Sequence, residues 1–128
     1  MVISFTIAVS MDKSVKQKSR EFAVKVVFLH KQLSTGKKER VMSDELLRCG
    51  AGVGAELAKA ESALNKNDKL AKIYKALQSC AEAKYWLELL NDSGYLTEFE
   101  FNDTLKECDE LGKLLVALIK SFAAGSGG

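Results

Sequence analysis

The sequence predicts an all-α fold, an antiparallel up-down-up-down four-helix bundle. Three observations carry that reading. Proline, the one obligate helix breaker, is absent from all 128 residues. Alanine, leucine, lysine and glutamate, all good helix formers, dominate the composition. Apolar residues recur at helical spacing in four long stretches separated by short polar turns.

The first stretch runs from about Lys13 to Leu33. Val15, Phe22, Val26, Leu29 and Leu33 line one face, and Val24, Val27 and Phe28 widen it. Ser34-Thr35-Gly36 breaks the pattern, with Gly36 the expected C-terminal stop. The second stretch spans roughly Lys38 to Leu64, with Met42, Leu46, Cys49, Val53, Leu57, Ala60 and Leu64 as its seam. The polar turn Asn65-Lys66-Asn67-Asp68 follows, where Asn67 or Asp68 is the expected cap of the third helix. That helix takes in Leu70, Ile73, Leu77, Cys80, Ala83, Leu87 and Leu90, and Asn91-Asp92-Ser93-Gly94 ends it. Thr97-Glu98-Phe99-Glu100 has the form of a capping box. A fourth seam follows through Phe101, Leu105, Cys108, Gly112, Leu115, Ile119 and Phe122, flanked by Leu111, Leu114 and Leu118.

The bundle proper is thus expected over residues 13–122. Residues 1–12 form an N-terminal extension and residues 123–128 a flexible tail. The apolar run Val2–Val9 has no basic residue before it and is too short to span a bilayer, which argues against a signal peptide and a membrane anchor. It reads as sequence upstream of a start at Met11, as an extra strand, or as an arm gripping a neighbouring subunit. Helices three and four carry more apolar surface than one core needs, so the bundle is expected to oligomerise through helix faces.

Between Arg48 and Ala60, Gly50, Gly52 and Gly54 stand at every second position. The dinucleotide fingerprint needs GxGxxG after a strand, and here the spacing is GxGxG within a helical pattern. The glycines are therefore read as packing residues that let two helices approach closely, or as a local kink or π-bulge. Catalytic constellations are missing. His30 is the only histidine, and no Glu-x-x-His pair exists for a metal site. Cys49, Cys80 and Cys108 lack CxxC spacing and read as buried reduced thiols of a cytoplasmic protein. No cofactor, metal or enzymatic activity is expected.

Charge is unevenly spread. Residues 1–75 carry 15 Lys/Arg against 8 Asp/Glu, and residues 76–128 carry 4 against 9. The halves can neutralise each other, or the basic half can meet an anionic partner. Three basic clusters are the candidate phosphate contacts: Lys13, Lys16 and Arg20; Lys37, Lys38 and Arg40; and Lys66, Lys69 and Lys72.

Several segments carry a family likeness. They are Phe22-Ala23, Leu46-Leu47-Arg48, Gly50, Val53-Gly54-Ala55, Ala60, Lys66, Asp68, Ala76-Leu77, Glu82, Tyr85-Trp86-Leu87-Glu88-Leu89-Leu90, Glu107-Cys108-Asp109-Glu110 and Lys113-Leu114-Leu115. Over residues 20–121 the chain resembles the 23S rRNA-intervening-sequence proteins. The resemblance implies a bacterial, cytoplasmic, non-enzymatic homopentamer. It also implies kinship with the accessory variability proteins of diversity-generating retroelements, which bind nucleic acid and a reverse transcriptase. RNA or DNA and a reverse transcriptase are therefore the expected partners, and a protein-interaction module without nucleic acid is the alternative. Arg48, Gly50, Gly54, Glu82, Tyr85 and Trp86 fit the family pattern. Glu56 departs from it, standing where the family usually has Asn.

Overall fold

The computed structural model describes the backbone of residues 2–126 and the side chains of residues 14–124. Four helices make the fold: α1 (Val2–Lys31), α2 (Val41–Glu61), α3 (Lys66–Asp92) and α4 (Glu98–Ser126). Each packs on its neighbours in sequence, and α4 closes back onto α1. The contact pairs of α1 with α2 and of α1 with α4 run in opposite sequence order. Along α1 and α2, Lys16 meets Glu61, Ser19 faces Gly54, Val26 faces Gly50 and His30 meets Asp44. Along α1 and α4, Lys18 meets Glu110 and Lys25 meets Asp103.

Because α1 starts at Val2, the N-terminal apolar run is helical rather than a strand. Its side chains, and that of Lys13, lie outside the described residues. At the other end α4 takes up the expected tail as far as Ser126, and residues 127 and 128 also lie outside.

The α1 core face is Val15, Ser19, Phe22, Val26 and Leu29, and Leu33 continues it in the turn that follows. Ser19 occupies the turn between Val15 and Phe22, where a serine is small enough to face Gly54 and its hydroxyl is satisfied by the Lys16 carbonyl at 2.8 Å. Val24, Val27 and Phe28 do not widen this face. They point outward, and Phe28 is 60% exposed.

The alternative of a π-bulge among the α2 glycines does not hold, because Gly50–Gly54 are α-helical; a π-helical turn sits instead at Gln32–Gly36. The hydroxyls of Ser34 and Thr35 bond back to the carbonyls of His30 and Lys31, in competition with the regular ladder. Lys37 N–H then reaches the Gln32 carbonyl, one residue further than an α-helix allows. Gly36 ends the helical run as expected, but the left-handed residue is Lys38, at φ 55°.

The start of α2 is held by a carboxylate that the sequence reading passed over. Glu39 is 8% exposed, and its two oxygens accept the N–H groups of Ser43 at 2.9 Å and Met42 at 3.1 Å. A cap of this kind contributes about 1 kcal/mol. The helix stops at Glu61, where Ser62 and Ala63 bond to the carbonyls of Lys59 and Ala60 in a tightened last turn. Leu64 therefore falls beyond the helix and is 98% exposed instead of completing the seam. The cap of α3 is Asn65, whose Oδ1 accepts Asp68 N–H at 2.8 Å, and not Asn67 or Asp68.

The α3 core face is Ile73, Ala76, Cys80, Ala83, Leu87 and Leu90. Gly94 closes the helix at φ 81°, with Tyr95 N–H on the Leu90 carbonyl. The capping box forms in both directions: Thr97 N–H to Glu100 at 2.9 Å, and Glu100 N–H to Thr97 at 3.1 Å. The α4 core face is turned from the expected one. Thr104, Cys108, Leu111, Leu115, Leu118 and Ile119 are buried, while Phe101, Leu105, Gly112 and Phe122 are half-buried.

Candidate nucleic-acid interface

The three basic clusters of the sequence become two ends of the bundle. Lys37, Lys38 and Arg40 sit in and after the α1–α2 turn, all exposed. Lys37 is tied to the α3–α4 turn by its ammonium group, which donates to the Tyr95 carbonyl at 2.5 Å. Lys16, Lys66, Lys69 and Lys72 gather at the opposite end, where α1 approaches the α2–α3 turn. Lys16 pairs with Glu61 at 2.6 Å, Lys72 lies 3.8 Å from Asp68, and Lys69 stands 5.5 Å above the Phe122 ring. Arg20 lies between the ends on the exposed side of α1.

Much of the positive charge is answered within the chain. Lys18 meets Glu110 at 3.0 Å and Glu107 at 3.9 Å, while Lys25 meets Asp103 at 2.6 Å and Glu107 at 3.7 Å. Two lysines of the basic first half are thereby paired with carboxylates of the acidic α4. These pairs are exposed to water and screened by it, so each contributes little to stability. The Lys18 hydrogen bond holds the Glu110 carboxyl below the usual carboxylate range.

A second polar constellation joins α2 to α3. Arg48 Nη2 donates to Glu45 at 2.7 Å and also reaches Glu82, whose Oε2 accepts the Trp86 indole N–H at 3.0 Å. Tyr85 packs edge-on against Trp86, with ring centroids 5.1 Å apart. Four residues of the expected motif, Arg48, Glu82, Tyr85 and Trp86, thus form one clasp, and Glu45 joins them. Glu45 was identifiable in principle, since it stands three residues before Arg48 on the same helix face.

The Trp86 hydrogen bond, followed by the Arg48 contacts and against the effect of partial burial, lowers the Glu82 carboxyl from its ordinary value of 4.5. A carboxyl depressed in the folded state contributes stability above its unfolded value and loses it as pH falls through the folded one. Emission from Trp86, the only tryptophan, is therefore expected to change as pH is lowered beyond about 4.5. Glu82→Gln should abolish that step; an unaltered acid titration in the variant would rule the clasp out as its source.

Gly50 does what the packing reading requires, Gly54 is at the edge of ordinary contact, and Gly52, 3.6 Å from Ser79 Oγ, has room for a methyl group. A Cβ on Gly50 would lie 2.9 Å from Val26 Cγ2, and one on Gly54 would lie 3.4 Å from Ser19 Oγ. Glu56 folds back onto Lys59 at 3.2 Å, and its Oε2 is enclosed without a hydrogen-bond partner among the described residues. His30 bridges to Asp44 at 2.7 Å and so links α1 to α2. All three cysteines are buried free thiols. No group of three or more metal-ligating side chains occurs among the described residues. Nor is any helix among them long and apolar enough to cross a membrane.

These observations define an all-helical four-helix bundle with charge-clasped helices and basic ends. The chain belongs to the 23S rRNA-intervening sequence protein family, whose model matches residues 11–117. It is also similar to a solved structure from Bacteroides thetaiotaomicron VPI-5482, described as a protein of unknown function from the S23 ribosomal protein family. The two share 41% identity at a TM-score of 0.84, over 86% of this chain and 98% of that one. Among curated proteins, no match was found.

Proposed function

We propose that the chain is a non-enzymatic scaffold that self-assembles through its helix faces and presents its basic ends to nucleic acid. The observation that carries this reading is the apolar stripe Val24, Val27 and Phe28, exposed on α1 beside Arg20 and Lys16. Together with Ala51, Ala55 and Ala58 of α2 it forms a shallow apolar trough. Contiguous apolar surface of this kind marks an interface. Tyr74 and Tyr85 of α3 offer further apolar surface for a heterologous contact that closes into a ring. Five subunits is the number the family resemblance favours.

Assembly gives the basic ends their effect. Lys37, Lys38 and Arg40, and Lys66 with Lys69 at the other end, would recur around the symmetry axis. A modest phosphate affinity would then be multiplied by simultaneous contacts. The same resemblance favours a cytoplasmic bacterial protein and a nucleic-acid enzyme, such as a reverse transcriptase, as its protein partner.

Light scattering of the purified protein, with labelled RNA and DNA titrated at two salt concentrations, tests both halves. The expected results are a mass several times that of the chain and affinity that falls steeply with salt. A monomer overturns the assembly. Absent binding at low salt, or binding indifferent to salt, overturns the nucleic-acid role and leaves a protein-interaction module.

A further inference from the structure

We propose that Cys80 and Cys108 are a redox-active thiol pair that closes to a disulfide between α3 and α4 when the protein meets a peroxide. Their Sγ atoms lie 3.9 Å apart, and each thiol also faces the other residue's carbonyl, at 3.4 and 3.5 Å. A disulfide needs about 2.05 Å between sulfurs, so the two must close by roughly 2 Å. The pair forms the floor of a surface groove between the two helices, walled by Leu77, Ala81 and Val116. Opposite Cys80 stands Gly112, where even an added Cβ would stay 3.8 Å from the sulfur. Both cysteines line that groove, which is the route from the surface to the sulfurs.

The two thiols are not equivalent. Either S–H can donate to the other sulfur; the bond from Cys108 draws the Cys80 thiol down against burial and the Asp109 carboxylate, and Lys84 offsets part of the Asp109 effect. The same bond and burial push Cys108 up. Cys80 is thus the group that ionises first, and the thiolate is the nucleophile. Cys49 differs: its sulfur faces the Glu45 carbonyl at 3.0 Å, and burial pushes it up to about 11.

The chemistry balances in two steps. The Cys80 thiolate attacks one peroxide oxygen, the O–O bond breaks, and Cys80 sulfenic acid forms with release of hydroxide. Cys108 then attacks the sulfenic sulfur, an S–S bond forms, and the hydroxyl leaves as water with the Cys108 proton. Two thiols are oxidised and one peroxide is reduced to water.

The test treats the folded full-length protein with hydrogen peroxide, blocks remaining thiols and maps its peptides by mass spectrometry. The expected result is loss of two of the three free thiols. The Cys80 peptide should be joined to the Cys108 peptide within one chain, with Cys49 still a thiol and both cysteines restored by dithiothreitol. In Cys108→Ser, Cys80 should be captured as the sulfenic acid by dimedone. A map in which Cys80 and Cys108 stay reduced while Cys49 or methionine is oxidised would overturn the proposal. A link that involves Cys49 or joins two chains would do the same. The wild-type map decides the matter even if the serine variant fails to fold.

Discussion

Gly50→Val is expected to destabilise the bundle by about 3 kcal/mol. The added Cβ alone would lie 2.9 Å from Cγ2, 3.0 Å from Cγ1 and 3.3 Å from Cβ of Val26. Val26 is fully buried, and a β-branched side chain in a helix has one favoured rotamer, so it cannot swing aside. Two further methyl groups leave α1 and α2 no choice but to separate. The neighbouring glycine should behave oppositely. A Cβ at Gly52 meets only Ser79 Oγ, at 3.6 Å, an ordinary contact. Gly52→Ala should then gain up to about 1 kcal/mol from helix propensity. Urea unfolding of the two variants measures both signs. A Gly50→Val protein as stable as the parent would refute the close-packing account of this stretch.

Phe28→Glu is expected to dissociate the assembly while leaving the bundle folded. The ring is exposed within one chain, so the fold loses little beyond its cation–π contact, in which Lys31 Nζ stands 6.0 Å from the centroid. In the proposed assembly the same ring is a buried aromatic anchor, and placing a charge there costs at least about 2 kcal/mol per interface, a roughly 30-fold weakening. Light scattering should show smaller particles at unchanged helical circular dichroism. Nucleic-acid affinity should fall with them, because single copies lose multivalency although every phosphate-contact candidate is intact. A variant that keeps the parent mass would remove α1 from the interface.

The sequence carried most of the fold because apolar spacing and end signals are local. The α2 seam from Leu46 to Ala60 runs through the glycines as its periodicity requires, and the Thr97–Glu100 box and the Gly94 stop are written in adjacent residues. What was misread depends on relations between helices. On α4, Leu105 and Gly112 compete with Leu111 and Leu118 for the same core, and only the position of α3 decides which stripe turns inward. Val24, Val27 and Phe28 extend the α1 stripe in sequence, yet a four-helix core has no room for so wide a face. Leu64 continues a period that the helix itself does not reach. The candidate site was legible as clusters of charge. Which lysines are neutralised was not, because the pairing of Lys18 and Lys25 with α4 spans most of the chain.

That pairing bears on how the bundle opens. Three of its four helix contacts join neighbours linked by short turns, so each closes a small loop. Docking α4 on α1 closes the longest loop and carries the largest entropy cost. Its outer edge carries water-accessible ion pairs. This seam is the bundle's natural door: fluctuations of the native state should part α1 from α4 first while α2 and α3 stay paired.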